Sequence, residues 1–167
     1  VQKYIYLCHS PDFQYDKMNY EFIKSQLSPC GLHCGKCFAF RDGDISRLSK
    51  DLKTNLGNFD VYAERFVKLL DEPAFLTYPA FKEMLSCFSS GKCNGCRKEK
   101  CILFRSCRVR ECSENRNVDF CFQCNEFPCS DTGFDVHLYK RSVNINKRMK
   151  EIGVEAYYHE IKDKPRY

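Results

Sequence analysis

Tryptophan is absent from this chain, and histidine is scarce, with only His9, His33, His137 and His159 scattered along it. No apolar run approaches the roughly 20 residues that a spanning helix needs, so no membrane segment is expected. Val1 to Cys8 lacks a charged start followed by a long apolar stretch, so no export signal is expected either. There is no long linker, low-complexity tract or internal repeat. Several catalytic signatures are also missing. No glycine-rich phosphate loop or Gly-x-Ser-x-Gly elbow occurs, and no His-x-Glu precedes a Cys-x-x-Cys in the deaminase manner. His159-Glu160 begins a metalloprotease-like pattern, but Asp163 stands where the second zinc histidine is needed. No catalytic residue can be named, and the reading leans away from an enzyme.

What is abundant is cysteine, 13 in 167 residues, beside 14 Phe and 10 Tyr. A chain of this size and aromatic content has the material for a real core, unlike a disordered chain. Thirteen is odd, so complete internal disulfide pairing is impossible. The distribution is uneven: 49 residues between Cys37 and Cys87 hold none, whereas the 37 residues from Cys93 to Cys129 hold eight. Disulfide scaffolds are usually short secreted chains that cannot build a core. Metal binding is therefore favoured over disulfides, and with it a reducing, cytoplasmic compartment.

The chain divides into four stretches of one predicted domain, 1–167. Residues 1–29 form an N-terminal arm, with a short helix over Met18 to Leu27 that turns Phe22, Ile23 and Leu27 to the core; Ser28-Pro29 ends it. Residues 30–91 carry the first cysteine cluster and three helices. The first runs from an Asp44 cap to Leu56 with Ile45, Leu48, Leu52 and Leu56 on one face, stopped by Gly57. The second covers about 60–70 with the stripe Phe59, Tyr62, Ala63, Phe66, Leu69 and Leu70, ended by Pro73. The third is capped by Thr77 and turns Phe81, Met84, Leu85 and Phe88 inward, with Gly91 closing it. All three stripes are read as core. Residues 92–130 keep no period of 2 or 3.6 and are expected to be irregular backbone held by metals. In 131–167 the helical pattern returns over His137 to Ile152, with Leu138, Arg141, Ile145, Met149 and Ile152 on one side. A last helix over 154–163 follows, then a Lys-Pro-Arg-Tyr end that frays. The fold class is mainly α: a small helical domain with an irregular, metal-stabilised cysteine-rich lobe.

Zinc takes four tetrahedral ligands, and a Cys-x-x-Cys turn supplies two of them. Three such pairs occur, Cys34/Cys37, Cys93/Cys96 and Cys121/Cys124, with Cys30, Cys107, Cys112 and Cys129 nearby and Cys101 as a further candidate. Gly35 and Gly95 fall where such turns need freedom to adopt positive φ. His33 is read as a surface or hydrogen-bonding residue, since the thiols suffice. Soft thiolate sites also suit iron–sulfur clusters. Cys30, Cys34 and Cys37 have the Cys-x3-Cys-x2-Cys spacing of radical-SAM enzymes, but the helices that follow lack the alternating strands of a barrel.

The order Cys30-Gly31-Leu32-x-Cys34-x-x-Cys37, Cys93-x-Gly95-Cys96, Cys107-x4-Cys112 and Cys121-x-x-Cys124-x-x-Phe127-Pro128-Cys129 resembles one family. It is a domain-of-unknown-function family of cysteine-rich bacterial and archaeal proteins regarded as zinc-binding. The resemblance spans about residues 29–131 and implies metal binding, with no reaction attached. Cys101 falls where the family pattern does not require cysteine.

The formal net charge is +5, and residues 92–116 alone account for it. They hold Lys92, Arg97, Lys98, Lys100, Arg105, Arg108, Arg110 and Arg116 against Glu99, Glu111 and Glu114. Local balance of thiolate charge is the favoured explanation, and a nucleic-acid interface through 92–116 is the alternative. The sequence thus predicts a zinc-binding protein with mainly structural sites, two ions or three, acting as a protein-interaction module. An iron–sulfur or open-site zinc enzyme of redox or group-transfer chemistry is the alternative. Short loops favour Cys93, Cys96, Cys107 and Cys112 as one site. Cys30, Cys34 and Cys37 then share a second with Cys121, Cys124 and Cys129, unless those three take Cys101 instead.

Overall fold

The computed structural model describes residues 19–167. Met18, where the first helix was expected to begin, and Cys8 and His9 of the N-terminal arm lie outside these residues. The architecture is mainly α-helical. Among the described residues the only β pairing is two isolated bridges, Leu27 with His33 and Phe40 with Cys93. No helix among them is long and apolar enough to cross a membrane.

The core that carries the cysteine-rich part is built by the two ends of the described chain. Helix α1 (Tyr20–Gln26) starts where the Asn19 side chain accepts from the Glu21 N–H. Its Ile23, together with Leu27 just past its end, is completely buried against Phe120, Met149, Val154, Tyr157 and Tyr158. Phe22, expected inside, is instead 48% exposed and meets Tyr158 edge-on. A seven-residue helix has one narrow inner face, and Ile23 and Leu27, four apart, fill it. Helices α6 (Val136–Ile152) and α7 (Val154–Ile161) follow the predicted bounds closely. Asp135 caps α6 by accepting from the Leu138 N–H, and Gly153, at φ 87°, turns the chain between them. Arg141, assigned to the inner stripe, is exposed and donates to the Arg166 carbonyl. Asn146 is fully buried on the inner face in its place.

Between these ends lies a helical arm of α2 (Asp44–Leu56), α3 (Asp60–Leu69) and α4 (Tyr78–Ser89), with a 3-10 turn at Pro73–Thr77. The bounds agree with the sequence reading, although Gly43 and not Asp44 occupies the cap position of α2. Pro73 opens the 3-10 turn instead of merely ending α3. The arm's interior is aromatic: the tilted rings of Phe59, Phe66, Phe75 and Tyr78 pack at centroid distances of 5.0 to 6.1 Å. Much of the predicted stripe is not core. Leu48, Leu52, Tyr62, Leu69, Leu70, Phe81 and Met84 are all exposed, while Ala63 and Leu85 are buried. Helix α4 packs against α2, and α3 packs mainly on the 3-10 turn, so each helix buries a narrow seam and leaves the flank of its apolar stripe uncovered.

Two further expectations change. Residues 92–130 are not wholly irregular, because α5 (Val109–Asn115) crosses them. Val109 and Ser113, one turn apart, are both buried, and Arg110 pairs with Glu114 at i,i+4 on the outside. The C-terminal residues do not fray. Arg166 donates to the His33 carbonyl, Lys36 Nζ to the Lys164 carbonyl at 2.5 Å, and Phe38 N–H to the Tyr167 hydroxyl at 3.4 Å. The tail thus folds back over the first cysteine turn.

Candidate metal centres

The first cysteine turn is built from a reversal after α1. Ser28 N–H donates to the Leu32 carbonyl at 2.9 Å, and Gly31 turns the corner at φ 86°. A Cβ there would stand 2.2 Å from Ile145 Cγ2 and 2.9 Å from Met149 Cε, so glycine is required by space as well as by backbone. Cys34 N–H donates back to the Gln26 carbonyl at 2.7 Å, and Cys37 N–H to the Cys34 carbonyl at 2.8 Å. The second turn joins it through the parallel bridge: Cys93 N–H donates to the Ala39 carbonyl and Arg41 N–H to the Cys93 carbonyl, both at 2.9 Å. Gly95, at φ 101°, aims its N–H at the Cys93 sulfur at 3.3 Å, a contact that favours a thiolate. Both carboxylate oxygens of Glu99 accept from Asn94 and pin the turn from outside.

The Cys30 to Cys37 segment and the Cys93 to Cys107 segment face each other across a cavity of about 290 Å³. Seven cysteines line it: Cys30, Cys34, Cys37, Cys93, Cys96, Cys101 and Cys107. Cys30, Cys34, Cys37 and Cys93 are buried, and the other three half-buried. The Cys96 side chain interacts electrostatically with both Cys34 and Cys101. A second, smaller cavity of about 30 Å³ is lined by Cys112 from α5 and by Cys121, Cys124 and Cys129. The 121–124 turn is tied to the first segment by Cys121 N–H donating to the Pro29 carbonyl at 3.0 Å.

This grouping differs from the sequence reading. Cys112 leaves Cys93, Cys96 and Cys107 and joins Cys121, Cys124 and Cys129, because α5 carries it one turn beyond Val109 to the far side. Cys30, Cys34 and Cys37 line the larger cavity with Cys93, Cys96, Cys101 and Cys107, while of the last triplet Cys121 packs against the cluster that holds Cys30. Cys101, assigned no firm role, stands among the seven, and Cys87 is exposed on α4. All twelve described cysteines are free thiols. The sulfurs face shared cavities and not a shared point: among the described residues, no three His, Cys, Asp or Glu side chains converge as a single ion requires. The donor chemistry, thiols alone, suits soft ions such as zinc or iron.

The electrostatics is that of thiols kept out of water. Burial pushes Cys30 up to about 11 and Cys121 up to about 12. The hydrogen bonds to Cys101 and Cys34 push Cys96 up, while the same contacts hold Cys34 down to about 7 and Cys101 down to about 6. His33, expected near the surface, is buried, with its Nδ1 unpartnered and its ring 5.5 Å from that of Tyr158. Burial, more than the nearby Lys36 and Arg166 charges, holds it down to about 4.

Two side chains that sequence reasoning did not single out hold the cavities in place. Asn146 Nδ2 donates to the Cys30 carbonyl at 2.9 Å, and its Oδ1 accepts from the Phe122 N–H at 3.0 Å, so one amide joins both cysteine segments. Arg97, counted earlier as part of a basic patch, turns inward. Its Nε donates to the carbonyls of Lys24 and Leu27, its Nη2 to that of Asp119, and its guanidinium lies 4.8 Å above the Phe120 ring. Arg108, Arg110 and Arg116 pair with Asp131, Glu114 and Glu126. Half of the eight basic side chains in 92–116 are therefore committed to partners within the protein. No curated protein and no solved structure matches the chain. Residues 26–133, about two thirds of its length and the whole of both cysteine groups, match one family, so the chain belongs to the family described as protein of unknown function DUF3795.

Proposed function

We propose that this protein is a zinc–thiolate scaffold, in which metal ions held by cysteine clasp the 30–41, 93–107 and 112–129 segments onto the α1–α6–α7 core. The reading is carried by one observation: eleven of the twelve described cysteines line just two cavities, and the one that does not, Cys87, lies on the helical arm. Buried cysteine can serve as a small apolar residue, but such residues spread through a core and do not gather on two cavities. The four sulfurs of the smaller cavity match the ligand count of one tetrahedral structural zinc. A buried thiol resists ionisation, and a dication offsets that cost, so loading and closure of the sulfurs around the ion are coupled. Elemental analysis of protein purified reduced and without oxygen tests this. At least two zinc ions per chain are expected; less than one metal ion per chain, with every thiol still reduced, would sink the reading.

A further inference from the structure

Where the C-terminal tail folds back over the first cysteine turn, it encloses a cavity of about 130 Å³ with α6 and the end of α7. Lys36, Arg141, Lys164 and Arg166 line it, and no described aspartate or glutamate does. Lys36 and Arg166 are half-buried, Arg141 and Lys164 exposed. None of the four is paired with a carboxylate among the described residues. Their hydrogen bonds go to backbone carbonyls instead. Lys36 Nζ donates to those of Ile161 and Lys164 at 3.4 and 2.5 Å, Arg141 Nη2 to that of Arg166 at 2.6 Å, and Arg166 Nη1 to that of His33. A carbonyl carries no full charge, and each guanidinium keeps most of its N–H donors. Four cations around one cavity repel each other, and an anion between them reverses that cost. Glu160 on α7 and Asp44 on α2 are already paired, with Arg148 and Arg47, and Asp163 does not line the cavity.

A second observation points the same way. His33 lines this cavity, is only 8% exposed, and has no hydrogen-bond partner for its Nδ1. A buried polar nitrogen left unpaired is rare and costs free energy, which a bound group would offset. We propose that this pocket binds one tetrahedral oxyanion, a phosphate, either free or as the head of a small phosphate ester. Five nitrogen-bearing side chains exceed what the two oxygens of a carboxylate can engage and suit the four of a phosphate, whose geometry the guanidinium forks match. The volume is room for about four waters at roughly 30 Å³ each, enough for a single oxyanion and too little for a nucleotide. Leu32, Ile145 and Ile161 in the same wall keep water away and strengthen the attraction. Arg166 also lines the larger cysteine cavity, so a bound anion holds the tail closed over the first cysteine turn. The site uses no cysteine and stands or falls apart from the zinc–thiolate reading.

The test is titration of the reduced full chain with sodium phosphate, followed by ¹H–¹⁵N NMR at fixed ionic strength, with sodium chloride as the control. Saturable shifts are expected in residues 31–36, 141–145 and 157–166, at one site per chain, and absent with chloride. Lys164→Gln and Arg141→Gln should each weaken binding roughly ten-fold, since each removes a charged donor. Lys162→Gln removes the same charge outside the cavity and should change binding less than about two-fold. Lys164 is exposed and meets Lys36 through its carbonyl, which the glutamine variant keeps. If a variant nonetheless unfolds, the wild-type titration decides. Phenyl phosphate binding more tightly than inorganic phosphate would identify an ester as the ligand, and the reverse order free phosphate; either supports the site. Shifts that do not saturate or that chloride reproduces would overturn it. So would sodium acetate binding as tightly as phosphate, or equal losses in Lys162→Gln and Lys164→Gln.

Discussion

At the scale of single residues, the structure turns on groups whose neighbours leave them no alternative. Asn146 has no exposed surface and joins the Cys30 carbonyl to the Phe122 N–H. Asn146→Leu keeps the branched shape, with somewhat more bulk, but leaves both backbone groups without partners, so a loss of about 2–4 kcal/mol is expected in urea unfolding. An unchanged midpoint would show that the amide is dispensable. Arg97 is a second case. Arg97→Lys retains the charge, but one ammonium cannot reproduce the fork that reaches the Lys24, Leu27 and Asp119 carbonyls. The lysine variant is expected to recover less than half of the stability lost by Arg97→Ala, as read by thermal unfolding of the metal-loaded protein. Neither residue was legible as structural from the sequence. Asn146 lies outside the stripe that marks the helix's inner side, and Arg97 reads as one more cation in a basic run.

At the scale of elements, the helical arm and the cysteine turns follow different rules. The arm's helices were legible because 3.6-residue periodicity, Gly57 and Thr77 mark where they begin and end. What periodicity does not give is how wide a seam each helix buries. Leu69 is 66% exposed and Leu85 is 6% exposed, though both belong to apolar stripes. Leu69→Gln should change stability by less than about 0.5 kcal/mol, whereas Leu85→Ala should cost about 2–4 kcal/mol. Equal effects in chemical denaturation would contradict the exposed flank. The turns obey backbone geometry instead. Gly31→Ala meets both a positive φ and the Ile145 and Met149 side chains, so loss of the folded cysteine lobe, visible as broadened amide NMR signals, is expected. Helix α5 escaped sequence reading because its seven residues span two turns, too few to establish a period among arginines and glutamates.

At the scale of the whole molecule, the metal centres are expected to govern cooperativity. Structural zinc contributes on the order of 10 kcal/mol of apparent folding free energy per site, comparable to the stability of an entire domain. Chelation should therefore remove hydrogen-exchange protection from residues 92–130 first, while α3 and α4, which share their own aromatic cluster, and α2, packed on α4, retain it. Equal protection of both regions before and after chelation would contradict this order. Loading also changes the charge of the molecule. Thiols that are mostly neutral without metal become thiolates, and two four-thiolate zinc sites, each of formal charge −2, would bring the formal +5 to about +1. Capillary electrophoresis of metal-free and loaded protein should show that fall in positive charge.

The sequence by itself determined where the thiols gather along the chain, because thiol content and Cys-x-x-Cys spacing are local properties. It also determined the helical class, since periodicity and caps act over one or two turns. Only the tertiary structure decided which cysteines face one another. Loop-closure entropy favours the shortest loops, and by that rule Cys112 belongs with Cys107. Helix α5 separates the two, and burial of Val109 in the cluster with Cys30 and Leu32 fixes the helix's orientation. The fate of the C-terminal residues was decided in the same way. Lys-Pro-Arg-Tyr has no helical period, yet Arg166 and Tyr167 find their partners on the 33–38 turn. The packing of α7 against α1 brings that turn within reach, and nothing in the local sequence records the distance.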